Sequence, residues 1–144
     1  MKISDCMSKD VKTVSPVQSI REAAQAMRDI EAGFLPVGEN DRLVGIITDR
    51  DIAIRAIAAG KGPDTAIRDV MSKEVLYCFD DEDIADITRN MAAQQIRRLP
   101  VVDRDKRLVG VISLGDIAQS DPDGGSPSAV ALSGVSQPGG KHVQ

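Results

Sequence analysis

The 144-residue sequence has few aromatic residues and no excess of positive charge, and each shortage excludes a class of function. Two Phe, one Tyr and no Trp amount to 2% of the chain, which leaves no stacking platform for single-stranded nucleic acid. Acidic residues outnumber basic ones by 22 to 18, giving a formal net charge of −4, so the chain is poorly suited to neutralise the phosphates of duplex DNA. We therefore expect no nucleic-acid partner.

Long apolar stretches are also missing. No uninterrupted apolar run approaches the roughly 20 residues needed to cross a bilayer, and the first residues lack the apolar segment of a secretory signal. We therefore expect a cytoplasmic protein without a membrane partner. The length fits one compact domain or two very small ones.

Histidine and cysteine, the usual residues of catalytic and zinc sites, are scarce. His142 is the single histidine, and it lies in a Gly-, Pro- and Ser-rich segment, residues 121–144, that we expect to be a flexible tail. The folded part therefore offers no Ser-His-Asp or Cys-His arrangement and no His-containing zinc site. Cys6 and Cys78 lack Cys-x-x-Cys spacing and are expected to be small apolar residues in a reducing compartment. Whether the two form a disulfide is left undecided, because the sequence does not give the distance between them.

An internal repeat organises the chain. Residues 5–52 align with residues 69–117 when Lys106 is treated as one inserted residue. The matched segments are Asp-Cys-Met-Ser-Lys and Asp-Val-Met-Ser-Lys, Leu-Pro-Val in both halves, and Arg-Leu-Val-Gly-Ile-Ile-Thr and Arg-Leu-Val-Gly-Val-Ile-Ser. A half of about 60 residues buries only a modest part of its surface. We therefore expect repeats at residues 1–62 and 63–120 that share one core around a pseudo-twofold axis.

Each repeat predicts the order β-α-β-β-α, an α/β fold. First strands are expected at residues 11–14 and 75–78, and later strands at 34–37, 43–48, 98–103 and 108–113. Because proline removes a ladder donor, the strand with Leu-Pro-Val should lie at an edge or carry its proline at a strand end. Second helices are expected at residues 49–59, ended by Gly60, and at 114–119.

The first helix of each repeat has its own start signal. Ser19 and Glu22 have the spacing of a capping box, and the matching helix is expected to begin at Asp83. Helical periodicity predicts one buried stripe in each helix. The predicted buried residues are Ile20, Ala23, Ala24, Met27 and Ile30 in the first helix, and Ile84, Ile87 and Met91 in the second.

A hydroxyl residue followed by Asp three positions later stands at the predicted strand-to-helix junction of both repeats. Thr48 precedes Asp51, and Ser113 precedes Asp116. Free N–H groups at a helix start favour an anion such as phosphate, and a carboxylate on the first turn can accept from the two vicinal hydroxyls of a ribose. The same spacing also resembles a capping box, with Asp replacing the usual Glu or Gln. The residues alone leave a nucleotide site and a structural cap both open.

The ordered set of motifs resembles a tandem cystathionine β-synthase (CBS) domain pair, also called a Bateman module, over residues 3–119. The resemblance implies a non-catalytic sensor that dimerises and takes adenine nucleotides or related adenosyl ligands in clefts between its repeats. By position it implies phosphate contacts from the motif hydroxyls and the residues before Leu-Pro, and ribose contacts from the motif carboxylates. It also implies that the base packs near residues 11–14 and 75–78. The candidate ligand-binding residues are Thr48, Arg50, Asp51, Arg97, Arg98, Ser113, Gly115 and Asp116.

The repeats differ at these positions, which predicts unequal sites. Arg97 and Arg98 precede the second Leu-Pro where the first repeat has Gly33 and Phe34, and arginine gives planar, multi-donor recognition of phosphate. Adjacent strand residues point to opposite faces, so at most one of the two arginines should face a given cleft. Gly115 allows close backbone approach to a ligand. We expect the second repeat to form the better anion site.

Two classes of function follow. The first is a regulatory module that senses an adenosyl ligand and signals to a partner protein. The alternative is a dimeric interaction scaffold that needs no ligand. An enzyme is disfavoured, because the acidic run at residues 80–83 is explained by a helix N-terminus and the sequence supplies no metal site or resident cofactor.

Overall fold

The computed structural model describes residues 1–94 and 96–120, with the side chain of Ser120 left out. The predicted flexible tail and His142 lie outside the described residues. The chain divides into two compact units. We call Lys12–Val75 the first unit, and Met1–Val11 together with the described residues from Leu76 onward the second unit.

The first unit is built on an antiparallel pair of strands. Helix α1 (Ile20–Ile30) precedes strands β1 (Phe34–Glu39) and β2 (Arg42–Thr48), which are followed by the single turn α2 (Asp49–Asp51) and a π-helical segment, Ile52–Ile57. Val14 adds a parallel bridge to Val37 on β1. Gly60 has a φ of +81° beyond the helical segment, as expected of a residue that ends a helix.

The second unit contains a three-stranded sheet in the order β3-β4-β5. Strand β3 (Cys78–Phe79) is parallel to β4 (Arg98–Val102), and β4 is antiparallel to β5 (Leu108–Ser113). Helix α3 (Ile84–Gln94) connects β3 to β4, and α4 (Leu114–Ser120) follows β5. The predicted β-α-β-β-α order is therefore present in full in this repeat.

The segment that opens each repeat packs on the strands of the other repeat. Ser8 exchanges two backbone hydrogen bonds with Val111 on β5, over 2.9 and 3.0 Å. Ser72 makes the same exchange with Ile46 on β2, over 2.8 and 2.9 Å. Short 3₁₀ turns, Ile3–Asp5 and Ile67–Asp69, precede these two segments. Residues 1–11 therefore belong to the second unit although the sequence repeat places them in the first.

Each unit has its own apolar core, where the sequence predicted one shared core. Leu35, Val37 and Ile47 lie at the centre of the first unit together with Ile67 and Val70. Val101 and Ile112 occupy the matching places in the second unit, together with Ile3 from the start of the chain. The 3₁₀ turns before the exchanged segments supply Ile3 and Ile67, and Val70 directly follows the second turn. With these residues each small sheet buries enough apolar surface to form a separate cluster.

Four local expectations need correction. In α1 the stripe at Ile20, Ala23 and Met27 is buried, but Ala24 is exposed and Ile30 is 45% exposed. Ala26 is buried instead. The two alanines lie about 200° apart around the helix, so the buried face is turned toward Ala26 relative to the predicted stripe. Ile30 is the last helical residue before Glu31 turns left-handed at φ 55°, which leaves it near the surface. The buried stripe of α3, with Ile84, Ile87 and Met91, is confirmed.

Two further corrections concern the strands. The first strand of the first unit is reduced to the bridge at Val14, and β4 is a central strand although it contains Pro100. The missing N–H of Pro100 costs no ladder bond. Its antiparallel partner Val111 directs its own N–H and C=O to Ser8, and pairing with β3 begins only at Val101.

The helix expected after β2 also differs in form from the prediction, because only its first turn is α-helical. Within the described ranges, none of the helices is both long and apolar enough to cross a bilayer.

Candidate functional site

The hydroxyl–carboxylate motif forms the same closed turn in both units. The N–H of Thr48 donates to Asp51 Oδ2 over 3.0 Å, and the N–H of Asp51 donates to Thr48 Oγ1 over 3.1 Å. In the second unit Ser113 and Asp116 exchange the same two hydrogen bonds, each over 3.1 Å. Both motifs are therefore capping boxes, which satisfy two backbone donors at the helix start.

The strands fix what stands beside each turn. Register pairs Thr48 with Phe34 across β1 and β2, and Ser113 with Arg98 across β4 and β5. A backbone hydrogen bond closes each junction, from Asp49 N–H to the Gly33 carbonyl and from Leu114 N–H to the Arg97 carbonyl. Each capped turn therefore lies directly against the residues that precede Leu-Pro.

The second unit brings its predicted site residues together. Arg97 is exposed and Arg98 is half-buried beside the turn formed by Ser113 and Asp116. In residues 1–94 and 96–120, neither guanidinium makes a side-chain hydrogen bond or an ion pair. Gly115 is exposed, and a Cβ there would lie 3.6 Å from Ser113 Oγ, an ordinary contact. The turn thus has two arginines beside it with no competing acidic partner among the described residues.

The first unit surrounds its turn differently. Phe34 is buried at the position that corresponds to Arg98. Arg50 is exposed, and its N–H donates to the Asp49 carboxylate over 2.8 Å. The predicted residues Thr48, Arg50 and Asp51 are adjacent in this unit, but the cation nearest the Asp51 carboxylate is one that the sequence reading missed.

That cation is Arg55. Its Nε lies 3.8 Å from Asp51 Oδ1, and its Nη1 donates to the Val70 carbonyl over 3.4 Å. The spacing of four residues from Asp51 was a signal for such a pair, since residues i and i+4 are neighbours on a helix.

A second group that the sequence reading missed lies on the second unit. Arg104 forms a two-bond ion pair with Asp81, over 2.7 and 2.8 Å, and its Cζ lies 4.1 Å from the centroid of the Phe79 ring. Tyr77 meets Phe79 edge-on, with the centroids 5.7 Å apart. The Arg104 hydrogen bonds hold the pKa of Asp81 below its ordinary value, and the same contacts raise the pKa of Arg104. This group stabilises the hairpin turn between β4 and β5 against the loop after β3.

The two thiols lie in the second unit and are reduced. Cys78 is buried in its core and Cys6 packs against the same cluster. Burial, reinforced by Glu82, raises the pKa of Cys78 to about 12, so this thiol is neutral at physiological pH. In the part of the chain that the structure describes, no group of three or more His, Cys, Asp or Glu side chains is placed to hold a metal ion.

Comparison with known proteins gives the same family from sequence and from structure. The family model for the CBS domain matches twice, at residues 3–57 and 67–122. A CBS domain-containing protein of Bacillus subtilis, YhcV, is 44% identical over 116 residues, which cover 81% of this chain and 82% of that protein.

Solved structures with the same architecture have been determined with several ligands. A crystal structure of hypoxic response protein I with two coordinated zinc ions has a TM-score of 0.76 at 35% identity, covering 85% of this chain and all of that one. The CBS domain pair of protein MJ0100, in complex with 5′-methylthioadenosine and S-adenosyl-L-methionine, has a TM-score of 0.71 at 31% identity and covers 83% and 94%. CBSX2 in complex with AMP has a TM-score of 0.73 at 26% identity and the same coverage.

Proposed function

This chain belongs to the CBS domain family, and on that premise we propose that it is a non-catalytic regulatory module whose hydroxyl–carboxylate turns bind an adenosyl ligand. Ligand binding then changes how the module engages a regulated partner protein. We further propose that the active form is a cytoplasmic homodimer. The observation that carries the proposal is the turn of Ser113 and Asp116 with Arg97 and Arg98 directly beside it.

The capping boxes are compatible with a ligand role for the same carboxylates. A carboxylate offers about four acceptor positions on two oxygens, and each box uses one oxygen for one backbone N–H. The box also fixes the side-chain rotamer, so the carboxylate needs no reordering when ribose hydroxyls arrive. The cap therefore preorganises the group that we propose as the ribose acceptor.

The arginines give the second unit its preference for a charged ligand tail. Arg97 and Arg98 stand next to the turn with no acidic partner within the described ranges, and a guanidinium binds phosphate through charge-assisted hydrogen bonds. The first unit has Gly33 and Phe34 at these positions. We propose that the second unit binds AMP or ATP more tightly than the first. Support for the ligand class comes from MJ0100 and CBSX2, which were solved with adenosyl compounds.

Thermal unfolding with four ligands tests the proposal. AMP, ATP, S-adenosylmethionine and 5′-methylthioadenosine are each added at millimolar concentration, and the melting temperature is expected to rise for at least one, since a ligand of the native state stabilises it by mass action. Asp116→Ala should abolish the part of the shift that the second unit contributes. Since at most one of the two arginines should face the turn, Arg97→Gln or Arg98→Gln should weaken AMP binding. Neither change should affect 5′-methylthioadenosine binding, because that compound has no phosphate.

A matched control separates ligand contact from helix capping. Asp83 Oδ1 accepts the N–H of Ala85 over 2.8 Å at the start of α3 in the same unit. Asp83→Ala and Asp116→Ala should each cost about 1 kcal/mol of stability, but only Asp116→Ala should remove a ligand shift. If none of the four compounds shifts the wild-type protein, the ligand-independent scaffold replaces the sensor, and a dimer in sedimentation experiments would then support it.

A further inference from the structure

The first unit holds a cation against the carboxylate of its own turn. The Arg55 Nε is 3.8 Å from Asp51 Oδ1, and its Nη1 donates to the Val70 carbonyl over 3.4 Å. The Asp51 side chain is only 15% exposed, whereas that of Arg55 is 56% exposed. The Asp51 carboxylate is therefore mostly shielded from solvent, whereas the guanidinium that faces it is more than half exposed.

The repeat alignment places an uncharged residue at the position of Arg55 in the second repeat. Asp51 corresponds to Asp116, and the position of Arg55 corresponds to Ser120, which carries no charge. The backbone differs as well: Arg55 lies in the π-helical segment Ile52–Ile57, whereas the corresponding helix α4 is α-helical.

We propose that Arg55 is an internal competitor that weakens adenosyl-ligand binding at the first turn by occupying the carboxylate that would receive the ribose. This inference rests on the proposed function. Asp51 Oδ2 is held by the Thr48 N–H at 3.0 Å and Oδ1 faces Arg55. A ribose that uses both oxygens would therefore compete with the guanidinium for Oδ1.

The size of the effect follows from the exposure of the pair. Half-exposed ion pairs contribute little, because water and salt screen them, so removing the competitor should strengthen binding about two- to fivefold. Arg55 thus adjusts the affinity of the first turn and does not abolish binding there. The two turns of one chain would then fill at different ligand concentrations.

Titration calorimetry with 5′-methylthioadenosine tests this inference. The compound keeps both ribose hydroxyls but has no phosphate, so Arg55 gains no new anion to bind in the complex. Affinity is compared between Asp116→Ala, which leaves the first turn as the remaining site, and Asp116→Ala/Arg55→Ser, which copies the residue of the second repeat. The double variant should bind two- to fivefold more tightly, and added NaCl should narrow the difference because it screens the ion pair.

Arg89→Ser in the Asp116→Ala background is the matched control. Arg89 is an exposed arginine paired with Asp86 one helical turn away on α3, and its loss should leave the affinity unchanged. Unchanged or weaker binding after Arg55→Ser would overturn the inference, as would the absence of binding in both Asp116→Ala proteins. The wild-type titration is run first with all four adenosyl compounds: if none of them binds, the proposed function itself fails, whereas wild-type binding with no gain from Arg55→Ser refutes only the role of Arg55.

Discussion

Gly110 and Met7 lie so close together that a Cβ atom on Gly110 would be 2.7 Å from the Met7 sulfur. The same Cβ would be 2.8 Å from the Ser8 carbonyl oxygen, which is held in place because Ser8 pairs with Val111. Gly45 has the equivalent relationship with Met71 and Ser72, at 2.7 and 2.9 Å. The exchanged Met-Ser segment therefore packs directly on the glycine of a Leu-Val-Gly motif in both units.

Gly110→Ala is expected to destabilise the protein by roughly 1–3 kcal/mol in urea unfolding, the usual cost of forcing an extra methyl into a packed site. Met7→Ala should relieve only part of this cost, because the contact with the Ser8 backbone remains. Gly62→Ala is the control, since its Cβ would meet nothing within 4 Å. Equal stability of Gly110→Ala and Gly62→Ala would show that the Met-Ser segment does not pack tightly against Gly110.

Glu31→Gly is expected to stabilise the protein by about 0.5–1 kcal/mol. Glu31 ends α1 in the left-handed region, at φ 55° and ψ 43°, where a side chain costs about 1–2 kcal/mol and glycine costs little. The greater flexibility of glycine in the unfolded chain offsets part of this gain. Ala32→Gly, at the next residue, is the control and should instead lower the midpoint of urea unfolding. A loss of stability in Glu31→Gly would contradict the inference that the left-handed conformation of Glu31 costs stability.

Cys78 is expected to resist alkylation in the folded protein. In a Cys6→Ser variant, iodoacetamide at pH 8 should leave the remaining thiol unmodified until urea is added, because burial raises the pKa of Cys78 to about 12 and keeps the thiol protonated. Rapid modification without urea would mean that the core around β3 opens readily.

The same pKa predicts a loss of stability at alkaline pH. The folded state holds the Cys78 proton more tightly than the unfolded state, so this contribution is fully present below the unfolded thiol pKa, near 9, and is lost as pH rises toward 12. Urea unfolding is measured at pH 8 and pH 10.5. The free energy of unfolding should fall less between these two pH values in Cys78→Ala than in the wild type. Equal drops in the two proteins would exclude Cys78 as the cause.

Arg104→Gln is expected to raise the pKa of the Asp81 carboxyl toward its ordinary value, which an NMR titration would measure directly. Arg104 lowers that pKa in the native protein through two hydrogen bonds. A lowered pKa stabilises the fold above the ordinary carboxyl range and loses its effect as pH falls through the folded value. The variant should therefore lose less stability than the wild type on acidification, and Arg28→Gln, whose exposed ion pair is with its neighbour Asp29, serves as the control.

The family, the repeat and the element order were predictable because they depend on ordered motifs. The α/β fold with two CBS repeats is confirmed, and the strands that end at Thr48 and Ser113 end where the sequence predicted. The reciprocal caps were one of the two readings left open, and a spacing of three residues cannot say whether a carboxylate faces a backbone amide or a ligand. The ligand roles of the eight candidate residues stay predictions.

Other features could not be read because they depend on contacts between distant parts of the chain. Nothing in the Met-Ser motif indicates that Met7 lies against Gly110 and that Met71 lies against Gly45. The pairing of Arg55 with Asp51 could be predicted from their spacing of four residues. The contact of Arg55 with Val70 could not, because it joins residues 15 positions apart. The contact of Arg104 with Phe79 likewise depends on how two loops meet.

The exchange of opening segments has a consequence for a repeat taken by itself. A lone copy of the repeat would carry a Met-Ser segment with no glycine-bearing strand of another copy to receive it, and its own strand would lack the matching bonds. We therefore expect a single repeat expressed alone to pair its opening segment with the strand of a second molecule.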